Sequence, residues 1–156
     1  MSPLIPDLHA LRQRLLGAWT LQRWTIAGDD GRAPQQPFGE GATGLIVYTP
    51  DGWMSAAIAR ADRAPLSAAS VRQVPVAEQA AAFEGYFHYA GRFSLQQRDG
   101  VPHVVHQVQW SLNPGFVGSA QWRRLRFDGD DGLELSADEA LGGQQRAHCL
   151  AWQRAA

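Results

Sequence analysis

From Gly17 to its C-terminus the chain runs in short stretches of alternating apolar and polar residues. Each is cut off by a cluster of glycine, proline or aspartate. Period two is the mark of a strand with one buried face. The stretches are GAWTLQRWTIA, ATGLIVYT, GWMSAAIA, RFSLQQR, VPHVVHQVQW, QWRRLRFDG, LELSA and QQRAHCLAWQR. Most are joined by hairpin-length turns such as Pro50-Asp51-Gly52, Asp99-Gly100 and Leu141-Gly142-Gly143. Left open, a meander of this size would expose long edges. The expected fold is therefore all-β: a closed up-and-down antiparallel barrel of about eight to ten strands. A two-layer sandwich is the alternative.

Two segments break the alternation. Leu8, Leu11, Leu15 and Leu16 stand at helical spacing behind Asp7, a good N-cap, which predicts a short N-terminal helix ending at Gly17. After Pro75, VAEQAAAFEGYFHY is alanine-rich with Phe83 and Phe87 four apart. It reads as one inserted helix, Val76 to Tyr89, of about three turns. The preceding RADRAPLSAASVRQVP has no period and reads as a loop.

Composition narrows the function. A chain of 156 residues is most economically one domain, 1–156. A net charge of −1 gives no electrostatic footprint for nucleic acid or an anionic membrane. Cys149 is the one cysteine, and the N-terminal stretch carries Asp7, Arg12 and Arg14 among its apolar residues, against a secretory or membrane segment. A cytoplasmic location is expected. All fourteen basic residues are arginine. Lysine chemistry is thereby excluded, including Schiff bases, pyridoxal anchoring and the P-loop lysine. No cofactor is expected. No metal is expected either: His103 and His106 fall on opposite faces of one strand, and His106 with His148 lacks a third ligand. Cys149 faces away from His148, and Glu134, between Leu133 and Leu135, points outward, which disfavours thiol and two-carboxylate mechanisms.

Gly17-Ala18-Trp19, directly after the short helix, resembles the GxW signature of lipocalins. PFGEGATGLIVYTPDGWMSA, FEGYFHYAGRFSL and NPGFVGSAQWRRL, in that order, resemble the bacterial and fungal lipocalin-like domain family of small cytosolic proteins. The resemblance runs from about Leu15 to Trp152. It implies a calyx-shaped barrel whose base is closed by Trp19, with Arg146 or Arg154 packed over that ring. Trp53 stands where the resemblance leads one to expect tyrosine. Fold transfers from such a family better than function.

The alternation also picks out polar residues on inward faces. His106 shares a face with Val104, Val108 and Trp110; Arg123 with Leu125 and Phe127; Arg146 and His148 with Leu150 and Trp152; Tyr48 with Gly44 and Ile46; Trp24 with Ile26. A few polar groups converging on an apolar wall describe a small-molecule pocket. In the favoured reading the barrel binds a small hydrophobic or aromatic molecule with a polar or acidic end. Trp24, Trp110, Phe127 and Trp152 supply apolar surface, His106, Arg123 and Tyr48 orient the polar end, and Tyr86 and His148 add contacts. The Val76–Tyr89 helix and the Arg60–Val74 loop would form a lid. The alternative is a cofactor-independent isomerase, cyclase or hydratase of specialised metabolism. There His106 would be the general acid or base, with Arg123 and Tyr48 or Tyr86 stabilising developing charge. Against both stands the plain structural reading, since a lone imidazole on an apolar strand face is more often a satisfied core group. A third possibility is an interaction module, with the outward Trp122 in a homodimer patch.

Overall fold

The computed structural model describes residues 6–156; Met1–Ile5, the start of the expected domain, lie outside the described residues. Among the described residues eight antiparallel strands close into one barrel in sequence order. They are β1 (Gly17–Gly28), β2 (Thr43–Tyr48), β3 (Trp53–Ala59), β4 (Tyr86–Arg98), β5 (Val101–Ser111), β6 (Ala120–Asp128), β7 (Gly132–Leu141) and β8 (Gln144–Arg154). Closure is made by β8 on β1, from Trp19 opposite Arg154 to Gly28 opposite Arg146. The expected architecture, a closed up-and-down barrel with a short N-terminal helix and one inserted helix, is the one observed.

Helix α1 (Leu8–Leu15) starts where Asp7 accepts hydrogen bonds from the backbone N–H groups of His9 and Ala10. It lies across one end of the barrel. Arg12 donates to the Pro50 carbonyl in the β2–β3 turn and Arg14 to the Gly129 carbonyl in the β6–β7 turn, each at 2.9 Å. Leu15 and Trp19 are fully buried beneath it. Burial of one such side chain contributes about 1.5–3 kcal/mol, so this end is a packed plug.

Helix α2 (Val76–Glu84) is shorter than the sequence period suggests. The residues YFHY belong instead to β4, where Tyr86 to Tyr89 pair with Ala59 to Ala56 of β3. A strand partner satisfies the backbone of a residue run whose aromatic side chains fit a pleated surface, and that overrides the helical spacing of Phe83 and Phe87. The ladder begins directly after Gly85, whose carbonyl accepts from the Arg60 N–H.

Two bulges change which residues face inward. In β1, Leu21 pairs with Trp152 and Arg23 with Ala151, leaving Gln22 extra. The inward face therefore passes from Trp19 and Leu21 to Trp24 and Ile26, an odd-to-even switch that an unbroken strand cannot make. In β5, Val108 pairs with Gly91 and Trp110 with Ala90, leaving Gln109 extra. Trp110 is thereby turned out of the barrel. Gly91 is needed here because a Cβ would overlap the Gln107 carbonyl.

Candidate functional site

The end opposite α1 is open, and a cavity of about 450 Å³ extends from it into the barrel. Its apolar wall includes Trp24, Ile58, Phe87, Phe116, Leu150 and Trp152. Phe116 comes from a single 3₁₀ turn after β5 and meets Phe87 edge-on, with ring centroids 5.8 Å apart. Residues 60–85 contribute nothing to this wall. The 60–66 loop and α2 line a separate depression, and of the expected lid only Phe87 and Tyr89, both in β4, reach the cavity wall.

At the inner end of the cavity three polar side chains from β2, β4 and β5 meet. His106 of β5 is 1% exposed. Its Nε2 lies 2.8 Å from the Tyr48 hydroxyl of β2, and its Nδ1 lies 2.7 Å from the Tyr89 hydroxyl of β4. Burial, reinforced by the positive charge of Arg123, pushes the imidazole down to about 3. Burial raises both phenols, with Arg123 opposing the shift in each. All three groups are thus neutral at ordinary pH. Arg123 of β6 donates to the Trp122 carbonyl at 3.0 Å and to Oε1 of Gln121 at 3.4 Å. Among the described residues no carboxylate pairs with it.

The mouth has a second polar chain. Trp24 donates its indole N–H to Nδ1 of His148 at 3.3 Å, and Nε2 of His148 lies 2.7 Å from Oε2 of Glu139. The hydrogen bond from His148 holds the Glu139 carboxyl below its usual range. Trp24 also packs edge-on against Phe38 at 4.9 Å.

A family model described as the lipocalin-like domain matches residues 16–155. The chain belongs to the lipocalin-like domain family. A 4'-hydroxy-3'-methoxypropiophenone carrier protein of Aspergillus oryzae is 31% identical over 83 residues, covering 49% of this chain and 74% of the carrier. Among solved structures, a redesigned β-barrel aligns with a TM-score of 0.42 at 13% identity, over 93% of this chain and 95% of its own.

In this lipocalin-like barrel Arg154, not Arg146, covers the base tryptophan, with its guanidinium carbon 4.2 Å from the Trp19 ring. Trp53 lies outside, against Arg92 and Trp110, so the departure from tyrosine does not reach the cavity. Of the site residues expected from sequence, Trp24, His106, Arg123, His148 and Trp152 lie on the cavity wall. Tyr48 stands behind His106, buried and off the wall.

Three others lie elsewhere. Trp110 is 59% exposed because of the β5 bulge. Tyr86, one residue out of phase with Phe87, faces outward under the Arg63 guanidinium. Phe127 is part of the base plug, 6.1 Å from Trp19 and beneath Arg14. Alternation alone places a residue on a face, not at a height along the barrel. Sequence reasoning missed Tyr89, Phe87, Phe116, Gln121 and Glu139. Read at period two, YFHYAGRF puts Phe87, Tyr89, Gly91 and Phe93 on one face, the signal that the helical reading concealed.

The geometry also bears on proton transfer. Both ring nitrogens of His106 are engaged by phenols, and an imidazole titrating near 3 is a poor base at neutral pH. The barrel interior can bind and orient a ligand. It offers no free nitrogen on His106 with which to abstract a proton.

Proposed function

We propose that this lipocalin-like barrel binds and carries a small aromatic molecule with one polar end, held behind the Phe87–Phe116 mouth. The observation that supports this is the single-ended cavity of about 450 Å³, apolar along its sides and polar where Tyr89, His106 and Arg123 converge. That size falls within the range of about 300–1,000 Å³ usual for small-molecule sites. The Aspergillus oryzae relative is named as the carrier of a substituted propiophenone, an aromatic ring of this size class. Binding is a better account than isomerase, cyclase or hydratase chemistry, because both nitrogens of the intended catalytic imidazole are already occupied.

Titration with 4'-hydroxy-3'-methoxypropiophenone, followed by tryptophan fluorescence, tests the reading. Trp24 and Trp152 lie on the cavity wall and serve as reporters. Saturable one-to-one quenching is expected, and Ala56→Phe, which fills the cavity from a buried wall position, should abolish it while the barrel stays folded. Absence of saturable binding by this ketone and by simple aromatic acids, with a folded protein, overturns the proposal.

A further inference from the structure

At the centre of the barrel three polar hydrogens share two hydrogen bonds. A neutral imidazole has one N–H and one bare nitrogen, and each tyrosine hydroxyl carries one proton. The contacts from Tyr48 to Nε2 and from Tyr89 to Nδ1 use one proton each. One remains, on whichever hydroxyl accepts from the imidazole N–H. On Tyr48 it would be stranded. That residue is 1% exposed, lies off the cavity wall, and among the described residues its hydroxyl has no partner but His106. Tyr89 forms part of the cavity wall, where its proton can meet a ligand oxygen. Buried donors in folded proteins are seldom left without acceptors. The direction is therefore Tyr48 O–H to Nε2, Nδ1–H to the Tyr89 oxygen, and Tyr89 O–H to the cavity.

The same wall holds more donors than acceptors. The Arg123 guanidinium has five N–H groups and meets only neutral oxygens, those of Trp122, Gln121 and the Tyr89 hydroxyl. The indole N–H of Trp152, another wall residue, is the one buried side-chain polar atom without a partner among the described residues. The wall carboxylates, Asp138 and Glu139, are committed to Arg124 and His148.

We propose that the inner part of the cavity receives an sp² oxygen of the aromatic ligand, a ketone carbonyl or a carboxylate, on the Tyr89 hydroxyl and the Arg123 guanidinium. This rests on the binding reading above and specifies which end of the ligand enters first. A carbonyl oxygen accepts two such hydrogen bonds and a carboxylate adds charge pairing with Arg123. A hydrocarbon end offers the donors nothing, and an ammonium end would face a cation.

Four probes of similar size test this by calorimetry: propiophenone, 3-phenylpropanoate, propylbenzene and 3-phenylpropylammonium. The first two should bind about tenfold or more tighter than propylbenzene, and the ammonium should not bind. Tyr89→Phe should bring propiophenone part of the way toward propylbenzene, and Arg123→Gln should weaken 3-phenylpropanoate more than propiophenone. In the unliganded wild-type protein, nitrogen-15 NMR should find the His106 proton on Nδ1. Equal binding of propylbenzene and propiophenone overturns this proposal and leaves the binding reading standing. No binding by any probe to a folded protein removes both. A proton on Nε2 overturns the relay whatever the probes do, and needs no variant to fold.

Discussion

At the base of the barrel Trp19 donates its indole N–H to the Leu15 carbonyl at 2.9 Å, and the Arg154 guanidinium covers its ring. Arg154 in turn donates to the carbonyls of Leu16 and Arg14. On the cavity wall the same two residue types, Trp152 and Arg123, have among the described residues an indole N–H with no partner and a guanidinium with no carboxylate. What differs is the supply of acceptors. The last turn of α1 brings the unpaired carbonyls that every helix C-terminus exposes, and its dipole favours a cation there. Among the described residues neither α1 nor α2 contributes to the cavity wall. Where donors are matched, tryptophan and arginine close the barrel; where they are in surplus, they leave a place for a ligand.

The comparison is broken most directly at the base. Trp19→Ala removes a fully buried ring and should cost about 3–5 kcal/mol in denaturant unfolding. Trp24→Ala at the half-buried mouth should cost far less, and equal losses would mean that the two ends are not built differently. A somewhat smaller effect follows from His106. The unfolded chain binds a proton on this histidine below about 6.5, whereas the folded chain leaves it neutral down to about 3. Between those values the unfolded state binds more protons, so stability falls as pH falls, by up to about 1.4 kcal/mol per pH unit. Between pH 6.5 and 4.5 the loss should be about 2–3 kcal/mol from this group. Urea melts of wild type and His106→Phe across that window would show it as a difference in slope; parallel slopes would mean that the imidazole is not held neutral.

The barrel was legible because its evidence is local. Alternation, turn clusters and the GxW block each survive without knowing what packs against them. The N-terminal helix was equally plain, since Asp7 and the leucine spacing agree with each other. The site was less so. His106, Arg123, Trp24 and His148 were found because polar or aromatic side chains on inward faces stand out. Trp110 was misplaced by one extra residue, Gln109, and a bulge has no signature in a strand that alternates well on both sides of it. Phe127 was assigned to the correct face but lies at the wrong height, which depends on where α1 docks. Tyr89 was hidden because GYFHY continues an alanine-rich helix by spacing, and only the partner strand β3 decides against the helix. Nothing within the chain's local pattern reports that partner.

The two arginines allow the sharpest and smallest test. Arg154→Gln removes a cation from the Trp19 ring and donors from two helix-end carbonyls, and should cost about 1–3 kcal/mol of stability. Arg123→Gln should change stability at neutral pH by no more than about 0.5 kcal/mol, because among the described residues the guanidinium meets only neutral oxygens, of Trp122, Gln121 and Tyr89, and no carboxylate. It should also act on the pH profile. Burial is the main cause of the low His106 value and Arg123 adds to it, so removing Arg123 lets the folded-state value rise somewhat and narrows the window in which acid destabilises the protein from its lower edge. The Arg123 variant should therefore lose less stability than wild type as pH falls from 4.5 toward 3, whereas Arg154→Gln should follow the wild-type slope from a lower starting point. If Arg123→Gln lowered neutral-pH stability as much as Arg154→Gln, Arg123 would be a structural closure residue like its counterpart. The division between a satisfied base and a donor-rich cavity would then fail.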